Sequence, residues 1–230
     1  MRDGRWTLAA ALVGGVAAAN AAFAGLGSVF DYPGVLAEPA GKILDRFAAN
    51  PHVIGGWFLL LAFGAGLLVP AAVLLGRRLP PGTATTLAVH TGVLAGLVQV
   101  LGLLRWPFAV PALASAHAAD PATTETVFTV LHHYLGTAVG ETLGYLLTAS
   151  WTLLVLRAMP GAPRWFAGLG AVSALAVAAG VLVPLDVPGA DAANFLGYVA
   201  WSVWMIALAV LVVRDRALAA RPRPAAAPAA

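Results

Sequence analysis

Leu131–Tyr145 reads LHHYLGTAVGETLGY, and what this stretch requires of its surroundings decides the fold. It lies inside a long apolar run, yet it carries the only carboxylate found in any such run, Glu141, with two histidines and a glycine at every fourth position. A charged Glu141 facing lipid would cost several kcal/mol, so a helix here must turn this face toward the interior of a bundle.

The rest of the chain supplies that bundle. Of 230 residues, 60% are hydrophobic and only 10% charged, and the mean hydropathy is +0.87. That leaves too little polar surface to coat a soluble globule. There is no cysteine, which excludes disulfides, thiolate metal sites, thiol nucleophiles and haem attached through Cys. No cofactor is implied and no metal motif is present, because no two histidines stand at ligand spacing with a carboxylate on one face. A bis-His haem is disfavoured: His90 lies near one end of its run, while His132 and His133 lie near the opposite membrane face.

Six apolar runs are long enough to cross the hydrocarbon, which takes roughly 20 helical residues. They are Trp6–Phe30, Val53–Gly76, Ala84–Leu104, Val127–Leu156, Trp165–Leu185 and Ala192–Val213. Runs of this length without strand-like alternation satisfy their backbone as helices. The expectation is an all-α integral membrane bundle of six transmembrane helices, one domain over 1–216, followed by an Ala/Pro/Arg tail over 217–230 that reads as disordered.

Basic residues orient it. With a cytoplasmic N-terminus, the inside holds Arg2, Arg5, Arg77, Arg78, Arg157, Arg164, Arg214, Arg216, Arg221 and Arg223, and the outside Lys42, Arg46 and Arg105, ten against three. Both termini are then cytoplasmic, and a bacterial plasma membrane is the expected location. A rival reading takes Met1–Gly25 as a signal peptide. An uncleaved span is preferred because the apolar run continues through Phe30; cleavage would leave five spans in the same orientation.

The inside connections are short and rich in Pro and Gly, as tight turns require. Outside, GKILDRF places Ile43, Leu44 and Phe47 opposite Lys42, Asp45 and Arg46, a short amphipathic helix at the interface or capping the bundle. Trp106–Thr124, with three prolines, reads as a loop able to act as a lid. No internal repeat, inverted or parallel, points to the common secondary-transporter folds. Apart from Pro70 no broken helix offers a second access route, so transport is a weaker reading than plain binding.

On a wheel of 100° per residue with Glu141 at zero, Tyr134 falls at about +20°, Thr137 at −40°, Tyr145 at +40°, Thr148 at −20° and His133 at −80°. His132 points the opposite way. Gly136, Gly140 and Gly144 form a G-x-x-x-G-x-x-x-G ladder that admits a close neighbour, and is a candidate surface for a partner helix. Sixteen residues from Arg157, Glu141 lies about 24 Å from the inner end. Asn20, Gln99, Arg105, Trp106, Asn194 and Tyr198 fall at a similar level, so polar groups from four spans gather in one outer layer.

Each group also has a plainer role. Glu141 is either a functional acid or a structural carboxylate paired with Arg105. His133 is a proton-relay partner or a headgroup-level anchor. Asn20, Gln99 and Asn194 suit interhelical hydrogen bonds as well as a ligand. Arg105 either snorkels outward or turns in toward Glu141 or an anionic headgroup. His132, His90, His52 and His117 suit packing.

VFDYPGVL, LLRWPFAVPALA, GETLGYLLTASWTLLV and GYVAWSVW together resemble the uncharacterised bacterial membrane-protein family named domain of unknown function 4386, over about Phe30 to Val213. The resemblance implies a multi-span membrane protein and brings no activity with it. It makes Arg105–Trp106–Pro107 and Gly140–Glu141 signature positions.

The functional expectation is an outer-leaflet polar pocket around Glu141 that binds a small or lipid-like molecule, with proton coupling through Glu141 and His133. Its lining would be Asn20, Gln99, Arg105, Trp106, His133, Tyr134, Thr137, Glu141, Tyr145, Asn194 and Tyr198. One alternative is a membrane-embedded enzyme with Glu141 as general acid or base on an isoprenoid or lipid substrate. The other is an accessory subunit joined through the Gly ladder. Nucleic-acid binding is not supported, since the arginines of the tail lack interleaved aromatics.

Overall fold

The computed structural model describes residues 3–214; Arg2, Arg216, Arg221, Arg223 and the tail 217–230 lie outside them. Among the described residues all regular structure is helical. Six helices are long and apolar enough to cross a membrane: Gly4–Phe30, Pro51–Gly76, Thr83–Ala116, Pro121–Ala158, Arg164–Leu185 and Ala190–Arg214. Each contains one of the six apolar runs of the sequence, and the third and fourth extend beyond theirs.

Helix α1 (Asp3–Phe30) is the first span. A turn at Asp31–Pro33 and a 3-10 turn at Gly34–Ala37 lead into α2 (Ala40–Ala49). The second span is broken into α3 (Pro51–Gly66) and α4 (Leu68–Gly76). Pro70 accounts for the break: it has no N–H for the carbonyl of Gly66, four residues back, and its ring crowds that carbonyl. The third span is α5 (Thr83–Phe108), continued by α6 (Val110–Ala116). The fourth joins α7 (Pro121–Leu131), a wide-turn π segment at His132–Leu143 and α8 (Gly144–Ala158). The fifth is α9 (Arg164–Ala178), tightened into a 3-10 turn over Ala179–Leu185, and α10 (Ala190–Arg214) is the sixth.

Two expectations are corrected. Pro70 is not the sole irregularity, since span four widens into π geometry and span five narrows into 3-10 geometry. Trp106–Thr124 is mostly helix rather than loop. Its prolines fit because Pro111 and Pro121 sit in the first turns of α6 and α7, where the missing N–H would have no intrahelical partner. Asp120 caps α7 by accepting from the Thr123 N–H at 3.2 Å. The hydrogen bonding from Thr123 holds the Asp120 carboxyl below its usual pKa.

The principal packing runs between consecutive spans, and α1 also packs on α10. The six spans therefore close into a ring in chain order. The outside of the ring is apolar, with Leu175 68% and Phe63 60% exposed, which suits lipid and not water. Inside are two separate cores. One, at the end bearing Arg77, Arg78, Arg157 and Arg164, holds Leu8, Leu12, Leu75, Trp151, Phe166 and Trp204. The other, at the opposite end, holds Phe30, Phe47, Phe58, Trp106, Val110 and Phe128. Within lipid such packing holds by dispersion and close fit, since leaving water contributes nothing there.

The second core is closed over by a cap of α2, α6 and α7. As the sequence pattern expects, α2 buries Ile43, Leu44 and Phe47 and exposes Lys42, Asp45 and Arg46. His117, at the end of α6, joins the three helices. Its Nδ1 lies 2.9 Å from Thr124 Oγ1, and its Nε2 lies 3.8 Å from both Asp45 and Glu125.

Candidate functional site

Between the two cores lies a polar layer, and the glycine ladder places it. Helix α5 fills the groove that these glycines leave. A Cβ on Gly136 would come 2.6 Å from Arg105 Nη2, one on Gly140 would come 3.1 Å from the Cα of Gly102, and one on Gly144 would come 3.0 Å from Gln99 Cγ. Gln99, Gly102 and Arg105 are three residues apart on one face of α5, so each fits one rung. The surface considered for a partner helix is thus occupied from within the chain.

Arg105 is buried, 5% exposed. Its Nη1 donates to the Gly102 carbonyl, and its Nη2 lies 3.3 Å from His132 Nδ1. Its charge sits 5.2 Å from the centroid of the Trp106 ring, a cation–π distance. Its Nε is buried without an acceptor, as is Trp106 Nε1. Trp106 stacks on Phe58 at 4.7 Å and contacts Phe30, Phe47 and Phe128. His132 stacks on Phe128 at 5.8 Å, so it links the aromatic core to the guanidinium.

Glu141 lies within electrostatic reach of Arg105, Tyr32, Tyr145 and Tyr198. These groups come from three spans and from the turn after α1. Among the described residues Glu141 has no hydrogen bond or ion pair, Arg105 included. Tyr32 stands edge-on to Phe58 at 5.3 Å. Its phenol is pushed well above its ordinary pKa, first by burial and then by the Glu141 charge, against an opposing effect of Arg105.

Neighbouring groups complete the layer. Gln99 Nε2 donates to Thr148 Oγ1 at 3.2 Å. Asn194 is buried and donates to the Val177 carbonyl at 2.7 Å, and both its amide and the Tyr145 ring press on Gly180. Tyr145 and Tyr198 meet at 5.8 Å.

Other candidates stand apart. Asn20 is exposed and ties α1 to α10 by donating to Ser202 Oγ at 3.2 Å. Thr137 is partly exposed. The helical wheel fails at the two histidines and Tyr134. His133 is exposed, with Nδ1 2.9 Å from the Thr129 carbonyl, Tyr134 is 65% exposed, and His132 is the one turned inward. The reason is the π segment, whose i→i+5 bonding packs more residues into each turn than 3.6. Tyr32 escaped the sequence reading because it follows its span, although VFDYPGVL carried it.

Two surface depressions lie elsewhere. One of about 510 Å³, lined by Pro80, Gly82, Thr85, Arg157 and others, sits at the turn into α5. The other, of about 430 Å³, is apolar and runs between Phe63, Leu67, Val100 and Leu104, beside the α3–α4 break. Neither contains the charges that the layer brings together.

A family model described as domain of unknown function (DUF4386) matches residues 8–209. No curated protein matches the chain. No solved structure matches it either.

Proposed function

The chain belongs to the family described as domain of unknown function (DUF4386), and from that premise we propose that it is an integral membrane protein whose polar layer binds a small or lipid-like molecule. The carrying observation is the state of Arg105 and Glu141. An arginine 5% exposed, with an N–H lacking an acceptor, lies in reach of a carboxylate that makes no hydrogen bond or ion pair of its own. Two charges held this way in an apolar ring are costly unless something pairs with them. An intramembrane acid without a fixed partner is also the group through which binding would couple to protonation.

Under this reading the capped end faces outward, because six of the nine described Lys and Arg, Arg5, Arg77, Arg78, Arg157, Arg164 and Arg214, fall at the other end. The membrane is the bacterial plasma membrane. Arg105, Glu141, Tyr145, Tyr198 and Tyr32 contact the ligand, and Gln99, Thr148 and Asn194 hold the helices that present them.

Native mass spectrometry of the protein in lipid nanodiscs, wild type beside Glu141→Gln, tests this. A discrete mass held by the wild type and lost in the variant is the expected result. Bulk lipid alone on both folded proteins would overturn the reading.

A further inference from the structure

The charges of the layer say more about the ligand than its size class. Arg105 and Glu141 are of opposite sign and lie in electrostatic reach, yet the guanidinium spends its bonds on Gly102 and His132 and not on the carboxylate. A purely anionic ligand would satisfy Arg105 and be repelled by Glu141. A purely cationic one would do the reverse. Only a ligand carrying both charges meets both residues, and this rejection of singly charged molecules is itself a basis for selectivity.

The surroundings sort the two halves. Among the described residues four buried side-chain nitrogens lack an acceptor. Arg105 Nε and Trp106 Nε1 are sequence neighbours at this level, while Arg5 Nε and Trp204 Nε1 belong to the other end of the ring. A planar guanidinium with a spare N–H is suited to an oxyanion such as phosphate. On the Glu141 side, by contrast, Tyr145 follows the carboxylate by four residues and meets the Tyr198 ring at 5.8 Å, and Tyr32 lies within electrostatic reach. Aromatic rings beside a carboxylate are suited to an ammonium, which gains from both. Arg105 rests on Gly136, and Glu141 follows Gly140, the next rung of the ladder, so the two halves lie one helical turn apart.

We propose that the ligand is a zwitterion in which a phosphate, held by Arg105, is joined to an ammonium, held by Glu141 among Tyr32, Tyr145 and Tyr198. This rests on the reading that Arg105 and Glu141 form a ligand site. The same chemistry occurs in the headgroup of phosphatidylethanolamine and in free phosphoethanolamine.

The test uses the full chain, delipidated in detergent, with native mass spectrometry of bound short-chain lipid. Phosphatidylethanolamine is offered in competition with phosphatidylglycerol, which has the phosphate and lacks the ammonium. Wild type should retain phosphatidylethanolamine about tenfold over phosphatidylglycerol, the preference expected from a desolvated cation–π and carboxylate contact. Glu141→Gln should abolish the preference, and Arg105→Lys should weaken retention of both lipids. If Glu141→Gln does not fold, Tyr198→Leu carries the same test, because it removes a ring and leaves both charges. Displacement by free phosphoethanolamine assigns the chemistry to a soluble ligand; retention against it assigns the lipid. Equal or stronger retention of phosphatidylglycerol, still dependent on Glu141, overturns the zwitterion and leaves the site. No Glu141-dependent retention of any lipid or headgroup overturns both.

Discussion

The guanidinium of Arg105 lies against the bare Cα of Gly136, so close that a single added methyl would come 2.6 Å from Nη2. The residue that positions the buried cation is therefore one with no side chain.

Gly136→Ala should displace Arg105 and lower stability by about 1–3 kcal/mol, the usual cost of overpacking. Gly140→Leu should do worse, because its side chain would meet the backbone of Gly102, which cannot move aside as a flexible side chain can. Thermal midpoints in detergent check both. Gly56 has nothing within 4 Å of where its Cβ would be, so Gly56→Ala, which should be close to neutral, is the control.

The two adjacent histidines should behave oppositely. His132→Ala leaves a buried Arg105 N–H without its neighbour at 3.3 Å and removes the stack on Phe128, at a cost of about 1–3 kcal/mol. His133→Ala alters an exposed ring and should stay within about 0.5 kcal/mol of wild type. Equal effects would show that the wide-turn geometry is wrong.

Tyr32 gives the alkaline limb of stability. Its folded pKa is raised above the unfolded value of 10.0, chiefly by burial. Its contribution is thus fully present below pH 10 and is lost as pH climbs toward the folded value. Thermal midpoints of wild type should fall more steeply above pH 10 than those of Tyr32→Phe, which has no phenol to ionise.

The cap should loosen when its junction is cut. His117→Ala removes the group that meets Thr124, Asp45 and Glu125, and amide exchange should rise in α2, α6 and α7 while the span interiors keep their protection.

What the sequence discloses depends on which physical signal a residue carries. Hydropathy and length place all six spans, and Pro70 marks the α3–α4 break because its effect is local. Gln99, Arg105, Tyr145, Asn194 and Tyr198 are legible as a layer since polar groups at one depth in an apolar chain have few places to go. The inward histidine is not legible. Nothing in HHYLGTAVGETL announces i→i+5 bonding, and a wheel with the wrong angular step turns His133 and Tyr134 inward and His132 out. Nor do prolines distinguish a loop from the first turn of a helix, which is why α6 and the start of α7 read as a lid.

The wide-turn segment has one more consequence, for how the chain tolerates changes of length. Each π turn holds a residue more than an α turn of the same span would need. Loss of one residue between His132 and Leu143 can be absorbed by tightening a turn, with α7 and α8 kept whole, whereas the same loss inside α8 would rotate everything beyond it. Relatives of this chain should therefore vary in length by single residues here, beside the carboxylate, rather than in the regular parts of the fourth span.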